Sequence, residues 1–286
     1  MVVIGFPGSE SLAKMVARRS RQKYSRISLR QFPDGESHLK FDACVKNQKV
    51  ILVQSLFRPN EKILDLLFAA HTARDLGAKS VWLVAPYMAY MRQDKRFFSG
   101  ECVSVRVISK LFSVFDKVIT IDPHLHRIHS LNEIFVRGVR LSANSLLAEH
   151  IRKEYREATI IGPDEESFQW ARKIADSIGA KAIVLRKKRF SSEKVKIRIC
   201  ERVDFGNRPV VIVDDIISTG HTMIETVKEA KRLGAKSVIC MCVHGIFADG
   251  ADRRLMKAGA KSVICTNTIP GRLALIDVAG LISKAL

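Results

Sequence analysis

Two adjacent carboxylates follow an apolar run in the second half of the chain. Residues 210–213 are all apolar, and Asp214 and Asp215 come directly after them. Ligands of α/β sheets bind at the carboxyl ends of parallel strands, where carboxylates can accept hydrogen bonds from sugar hydroxyls. Backbone N–H groups in a loop before a helix can hold a phosphate. The pattern therefore predicts a site for a phosphorylated pentose, with an Asp-rich strand end and an ordinary Ser/Thr helix cap as the alternative. The loop residues concerned are Ser218, Thr219, Gly220, His221 and Thr222.

The segment VVIVDDIISTGHT, residues 210–222, resembles a known binding motif. Type I phosphoribosyltransferases and ribose-phosphate pyrophosphokinases share it for phosphoribosyl pyrophosphate. The resemblance implies that Asp214 and Asp215 face the ribose hydroxyls and that residues 218–222 hold the 5-phosphate. His221 stands where that loop commonly has a second glycine. Because histidine tolerates left-handed backbone angles better than most residues, we expect the loop to keep its shape.

Two segments in the first half resemble the ATP side of the ribose-phosphate pyrophosphokinases. FPDGE, residues 32–36, matches a segment whose acids meet adenine, often from a neighbouring subunit, although such a sequence alone is a common turn. PYMAYMRQD, residues 86–94, matches a segment whose Arg-Gln pair contacts ATP, and a guanidinium can pair with phosphate or stack on a base. The resemblance implies that these residues bind ATP: Asp34, Gly35, Glu36, Arg92, Gln93 and Asp94.

Two further segments resemble metal-binding parts of the same family. Asp122-Pro123-His124 resembles a D-x-H segment whose histidine lies at the metal–triphosphate site. Gly162-Pro163-Asp164 resembles a segment whose aspartate helps to hold Mg²⁺ near the ribose, with Glu166 where glycine is often found. The resemblance thus implies Mg²⁺ as cofactor and His124 and Asp164 as metal-site residues. Taken alone, His124 beside other histidines would be weak evidence for a metal site.

The basic segment LRKKRFSSEKVKIRI, residues 185–199, predicts two β-like arms around a basic tip of Lys187, Lys188 and Arg189. A solvated hairpin is the alternative. In the pyrophosphokinases, a K-x-R pair on a mobile loop closes over the nucleotide, and Lys187 and Arg189 match that pair. The resemblance therefore implies that these two residues are catalytic, because charge stabilisation is central to phosphoryl-type transfer.

A short recurring motif indicates the elements that must position these residues. It consists of glycine, alanine and lysine between a helix-like segment and an apolar run, beginning at Gly77, Gly179, Gly234 and Gly259. Glycine just past a helix end supplies a left-handed cap, and the apolar run reads as a buried parallel strand. The chain is therefore predicted to be α/β. We expect two similar phosphoribosyltransferase-like domains, each a mainly parallel sheet with helices on both faces.

The chain divides into residues 1–145, carrying the ATP-side residues, and 146–286, carrying the ribose 5-phosphate and catalytic loops. The last helix can pack back on the N-terminal domain. A net charge of +19 in 286 residues favours an anionic partner or reflects a generally basic proteome. No stretch approaches the ~20 apolar residues of a membrane span. The six scattered cysteines form no zinc spacing and suit a reducing cytoplasm.

These observations together predict a ribose-phosphate diphosphokinase. It would transfer the diphosphoryl group of ATP to the anomeric hydroxyl of ribose 5-phosphate, giving phosphoribosyl pyrophosphate and AMP. We expect a cytoplasmic homo-oligomer, a dimer or hexamer, without membrane or nucleic-acid partners. One alternative is a phosphoribosyltransferase-like regulator that binds nucleic acid through its basic surface. Another is a catalytically weak subunit of a synthetase, which His221 and Glu166 would support.

Overall fold

A computed structural model describes residues 1–125, 127–189, 195–199 and 205–286, which form two compact units. The domain ranges 1–145 and 146–286 stay a prediction, because compactness does not test which segments fold independently. Unit 1 comprises Met1–Ser142, Thr268–Pro270 and Val278–Leu286, and unit 2 comprises Ala143–Asn267 and Gly271–Asp277.

The main segment of unit 1 consists mostly of α-helices and β-strands. In order they are β1 (Val2–Gly5), α1 (Glu10–Arg19), β2 (Lys23–Gln31), β3 (Ser37–Phe41), β4 (Lys49–Val53), α2 (Pro59–Asp75), β5 (Ser80–Ala85), α3 (Ser104–Leu111), β6 (Lys117–Ile121) and β7 (Gly138–Leu141). Its described strands form a seven-stranded sheet in the order β3-β2-β1-β4-β5-β6-β7. All neighbouring pairs are parallel except the hairpin β2–β3.

Unit 2 repeats this arrangement after one additional helix. Its elements are α4 (Asn144–Glu154), β8 (Thr159–Gly162), α5 (Glu165–Ile178), β9 (Lys181–Arg189), β10 (Val195–Ile199), β11 (Val210–Ile217), α6 (His221–Arg232), β12 (Val238–Gly245), α7 (Ala251–Lys257), β13 (Ser262–Thr266) and β14 (Ala274–Ile276). The described strands follow the order β10-β9-β8-β11-β12-β13-β14, and only the pair β9–β10 is antiparallel. A last helix, α8 (Ala279–Ser283), lies in unit 1 and contacts α1.

The matching strand orders confirm the prediction of two similar, mainly parallel halves. The apolar runs are buried parallel strands, as predicted: every residue of β12 is buried, and so are the last four residues of β4. The sequence did not reveal the hairpin β2–β3, because β2 carries mostly polar residues and buries only Ile27. The edge strands β7 and β14 have four and three residues, too few for a clear pattern.

The recurring glycines end helices as predicted. All four have positive φ angles, between 66° at Gly179 and 108° at Gly259. In each case the N–H of the following alanine donates to the carbonyl five residues earlier, for example from Ala78 to Ala73 at 2.9 Å. This bond satisfies an otherwise unpaired carbonyl of the last helical turn and turns the chain towards the next strand.

Candidate active site

Staggered strand ends in unit 2 expose the two acids of β11. On one side, β8 pairs with β11 from Val210 to Ile212, whereas β12 on the other side continues to Ile217. Asp214 and Asp215 therefore lie within β11, which is longer than predicted, but beyond the end of its pairing with β8. Both residues are half-buried. The notch left by the shorter strand is the place where a ligand can reach them.

Asp164 follows β8 at this same edge and begins α5. Its Oδ1 accepts a hydrogen bond from the Ser167 N–H at 2.9 Å, and its own N–H donates to Ser167 Oγ at 3.0 Å, a capping box that fixes the carboxylate. Gly162 allows α5 to pack closely against the end of β8, since a Cβ at position 162 would lie 2.6 Å from Phe168 Cα. Glu166 lies in α5, where a helical backbone needs no glycine. The sequence pattern predicted Asp164 but not its partner Ser167.

The three carboxylates are electrostatically coupled. Burial raises the pKa of Asp214 well above its usual range, and the negative charges of Asp215 and Asp164 raise it further. The Asp215 N–H, which donates to Asp214 Oδ1 at 3.0 Å, offsets part of this rise. Within the described residues, no three His, Cys, Asp or Glu side chains are arranged as a ready metal cage. The group is thus a concentration of negative charge that a cationic or hydroxyl-rich ligand would stabilise.

The loop after β11 leads to a helix start that no side chain caps. Gly220, with φ 74°, is the N-cap residue of α6, and the described residues give this helix no side-chain cap bond. Its first N–H groups therefore point to a ligand or to water, in contrast to the capped start of α5. The expectation that His221 would need left-handed angles is wrong, because His221 is the first helical residue and Gly220 supplies the positive φ. A side chain at position 221 thus needs no strained backbone.

In unit 1, the corresponding loop lies between β4 and α2. A lysine of α2 covers this loop. Lys62 Nζ donates to the carbonyls of Ser55 at 3.0 Å and Phe57 at 2.7 Å, and burial lowers the pKa of this lysine. Ser55 Oγ donates to the Thr268 carbonyl at 2.6 Å. The loop has Gln54 and Ser55 at its strand end instead of two acids. Of the two corresponding loops, the one in unit 2 is therefore the one that follows a pair of acids.

The FPDGE segment forms the exposed turn of the hairpin β2–β3. Phe32 N–H donates to the Glu36 carbonyl at 2.8 Å, and Glu36 N–H donates to Asp34 Oδ1 at 3.2 Å. Gly35 has φ 91°. The backbone of this segment therefore forms a turn, the alternative that the sequence offered. Asp34, Gly35 and Glu36 are exposed, so a ligand can reach them. Their role in ATP binding stays a prediction.

Asp94 holds two loops of unit 1 together. Its carboxylate, with side-chain exposure of 1%, accepts hydrogen bonds from the Arg127 guanidinium at 2.8 Å and the Arg127 N–H at 3.1 Å. The segment with the exposed Arg92 and half-buried Gln93 is thereby tied to the loop after β6, which carries the half-buried His124. The role of Arg92, Gln93 and Asp94 in ATP binding stays a prediction. No local pattern pointed to Arg127 as the partner of Asp94.

The basic hairpin differs in register from the sequence prediction. Lys187, Lys188 and Arg189 are the last residues of β9, where they lie opposite Ile197, Lys196 and Val195 of β10. They belong to an arm of the hairpin and not to its tip. The tip that follows, residues 190–194, lies outside the described residues. The catalytic role of Lys187 and Arg189 stays a prediction.

Comparison with known proteins decides the family. A model of the N-terminal domain of ribose phosphate pyrophosphokinase matches residues 1–115, and a model of the phosphoribosyl transferase domain matches residues 136–276. The ribose-phosphate pyrophosphokinases of Methanosarcina acetivorans and Methanobrevibacter smithii are 35% and 33% identical to this chain. Each alignment covers 100% of this chain and 99% of the relative.

The chain belongs to the ribose-phosphate pyrophosphokinase family. A crystal structure of phosphoribosylpyrophosphate synthetase from Mycobacterium smegmatis superposes with a TM-score of 0.85 at 25% identity, over 99% of this chain and 97% of that one. These matches confirm the predicted family and the α/β fold with phosphoribosyltransferase-like halves. A ribose-phosphate pyrophosphokinase is a transferase of the kinase type, so the prediction of an enzyme is also confirmed. Among the described helices, none has the length and apolar composition needed to cross a membrane.

Proposed function

We propose that this chain transfers the diphosphoryl group of ATP to the anomeric hydroxyl of ribose 5-phosphate. The hydroxyl oxygen attacks the β-phosphorus in line, the bond from this phosphorus to the α,β-bridging oxygen breaks, and AMP leaves with that oxygen. The hydroxyl proton is released, and the products are phosphoribosyl pyrophosphate and AMP. Binding energy and charge placement supply most of the catalysis in such a transfer.

One observation carries the assignment of the ribose side: an uncapped helix start follows a strand with two accessible acids. The first turn of α6 offers N–H groups for the 5-phosphate. Asp214 and Asp215, a few residues before it on β11, offer acceptors for the ribose hydroxyls. A ligand that binds both the N–H groups and the carboxylates must carry an anionic group and hydroxyl groups a few ångströms apart. A pentose 5-phosphate has this pattern.

Mg²⁺ fits the donor set at this edge of unit 2. Asp164 supplies a carboxylate, the ligand type that Mg²⁺ prefers, and the negative charges of Asp214 and Asp215 beside it would favour the ion. The raised pKa of Asp214 means that the ionised group is unfavourable until positive charge arrives. When bound, the ion would offset negative charge on phosphate oxygens. His124, on the loop after β6, would be the metal-site residue of the nucleotide side.

The carboxylate cluster predicts a pH-dependent change in stability. The folded-state pKa of Asp214 is raised, so stability is greatest while the group is protonated and falls as pH rises through that pKa. Asp214→Asn stays neutral, so without metal it should raise Tm by about 2–4 °C at pH ~8, and by less at pH ~5. Differential scanning calorimetry in a chelator measures both values.

The matched control for this change is Asp176→Asn, an exposed acid on α5, which should leave Tm unchanged. Added Mg²⁺ should stabilise the wild-type chain more than Asp214→Asn. A loss of stability in Asp214→Asn at pH ~8, or a gain that shrinks with rising pH, would contradict the coupling of the carboxylates.

The ATP side predicts a selective effect of Arg92→Ala and Gln93→Ala. Each variant should raise the KM for ATP about tenfold, because a hydrogen bond to a charged phosphate or a base is lost. Calorimetric binding of ribose 5-phosphate alone should stay near the wild-type value. Arg106→Ala, an exposed arginine on α3, is the control and should change neither constant. A loss confined to ribose 5-phosphate binding would mean that the two sites have been exchanged.

The direct test of the proposed function is product analysis with ATP, ribose 5-phosphate and Mg²⁺. We expect AMP and phosphoribosyl pyrophosphate in equal amounts. ADP would indicate transfer of a single phosphoryl group. A chain with no turnover that restores or changes an active synthetase on mixing would be an associated subunit instead. Turnover unaffected by added DNA or RNA would disfavour the nucleic-acid-binding regulator.

The proposal also covers the oligomeric state of the protein and its location in the cell. We propose a homo-oligomer, a dimer or hexamer, in which the exposed turn with Asp34 and Glu36 reaches the ATP of a neighbouring copy. The five described cysteines have free thiols, which suit a reducing cytoplasm; they are Cys44, Cys102, Cys240, Cys242 and Cys265. The +19 charge suits two polyanionic substrates without a nucleic-acid partner. Sedimentation with and without ATP measures the assembly.

A further inference from the structure

The helix α7 contacts the phosphate loop from a distant part of the sequence. Arg254 Nη2 donates a hydrogen bond to the Thr219 carbonyl at 2.8 Å, across 35 residues. The start of α7 packs closely against the same loop, because a Cβ on Gly220 would lie 3.2 Å from Ala251 Cβ. The Arg254 Nε atom is buried and has no hydrogen-bond partner among the described residues. A ligand therefore cannot reach this nitrogen, while the Nη2 atom is bonded to the loop.

The bond fixes the orientation of one peptide group. The Thr219 carbonyl and the Gly220 N–H belong to the same planar trans peptide, so they point in opposite directions. Holding the carbonyl towards Arg254 directs the Gly220 N–H to the other side of the peptide plane. Glycine has a low cost for either sign of φ, so a peptide next to Gly220, with φ 74°, can turn over easily unless another group holds it.

We propose that Arg254 is a positioning residue for the 5-phosphate loop. Its guanidinium holds the Thr219–Gly220 peptide in the orientation that leaves the loop N–H groups free for phosphate, and its positive charge favours the anion. A hydrogen bond from a charged donor is strong enough to set such an orientation. This inference rests on the proposed function, because it assigns the loop to the 5-phosphate of ribose 5-phosphate.

The test compares three variants by calorimetric titration with ribose 5-phosphate in the absence of ATP. Arg254→Met keeps a long side chain without donors and should weaken binding about tenfold or more. Arg254→Lys keeps the charge and one donor and should recover part of the affinity. Arg253→Met, at the exposed neighbouring position on α7, is the control and should bind like the wild-type chain.

Steady-state kinetics separates positioning from general support of the fold. In Arg254→Met, the KM for ribose 5-phosphate should rise about tenfold while the KM for ATP changes less than about twofold. Equal losses for both substrates, or wild-type affinity for ribose 5-phosphate, would overturn the proposal. If Arg254→Met does not fold, Arg254→Lys decides by the same ratio of KM values. A wild-type chain that binds ribose 5-phosphate but makes no AMP would contradict the proposed function alone.

Discussion

Lys187→Ala should lower kcat by about 10²–10³-fold, the cost of removing one donor to charge that develops in the transition state. The proposed transfer spreads negative charge over the β-phosphoryl oxygens as AMP departs. A lysine that meets those oxygens only in the transition state contributes to kcat and little to substrate binding. KM values and Tm should therefore stay close to wild type. Rapid-quench measurement of AMP in a single turnover reports the chemical step.

The neighbouring basic residues supply the controls for Lys187. Positions 187 and 189 of β9 alternate with position 188, so Lys188 belongs to the opposite face of the strand. Arg189→Ala should resemble Lys187→Ala, and the double variant should lose less than the product of the two single effects if both act as a unit. Lys188→Ala should lose little. A severe Lys188→Ala with a mild Lys187→Ala would mean that the assignment is wrong by one residue.

Replacing Asp214 and Asp215 together by alanine should raise the KM for ribose 5-phosphate by about 10²-fold or more. Two hydrogen bonds between a carboxylate and a ribose hydroxyl are lost, each contributing roughly 1.5–3 kcal/mol. The KM for ATP should rise by only a few-fold. The double variant should also be at least as stable as wild type without metal, because it removes the buried carboxylate and the repulsion that raise the pKa of Asp214.

Asp176→Ala is the matched control for these acids, since its carboxylate is exposed on the surface of the same unit. It should leave both KM values unchanged. Equal increases in the KM for ATP and for ribose 5-phosphate, or no increase in either, would show that Asp214 and Asp215 do not accept hydrogen bonds from the ribose hydroxyls. Calorimetric binding of ribose 5-phosphate gives the same comparison without turnover.

The local features of the fold could be predicted from the sequence because they depend on neighbouring residues. Glycines such as Gly77 and Gly234 end helices through their own backbone angles. A continuous apolar run such as β12 indicates a buried strand. The strand–loop–helix unit around Asp214 was predictable for the same reason. The length of β11 was not, since strand ends depend on which neighbours still pair.

The contacts that organise the site join residues far apart in the sequence. The negative charge of Asp164 adds to the burial that raises the pKa of Asp214, across fifty residues of chain, and Arg254 of α7 reaches Thr219. Asp94 belongs to a family motif, yet no local pattern could indicate its bond to Arg127. For His221, the sequence suggested an unusual backbone, because histidine stands where the family loop commonly has glycine. Its backbone is nevertheless helical. Such roles follow from three-dimensional neighbours.

The fate of the anomeric oxygen tests most directly whether ribose 5-phosphate is the nucleophile. Ribose 5-phosphate labelled with ¹⁸O at the anomeric hydroxyl is converted with ATP and Mg²⁺, and the products are analysed by ³¹P NMR and mass spectrometry. Attack of that hydroxyl on the β-phosphorus keeps the carbon–oxygen bond, so the label should lie in the bridging oxygen of phosphoribosyl pyrophosphate, with none in AMP. Loss of the label to water beyond the exchange measured in an enzyme-free sample would show that the anomeric carbon–oxygen bond breaks, as in displacement at carbon, and would contradict the proposed reaction.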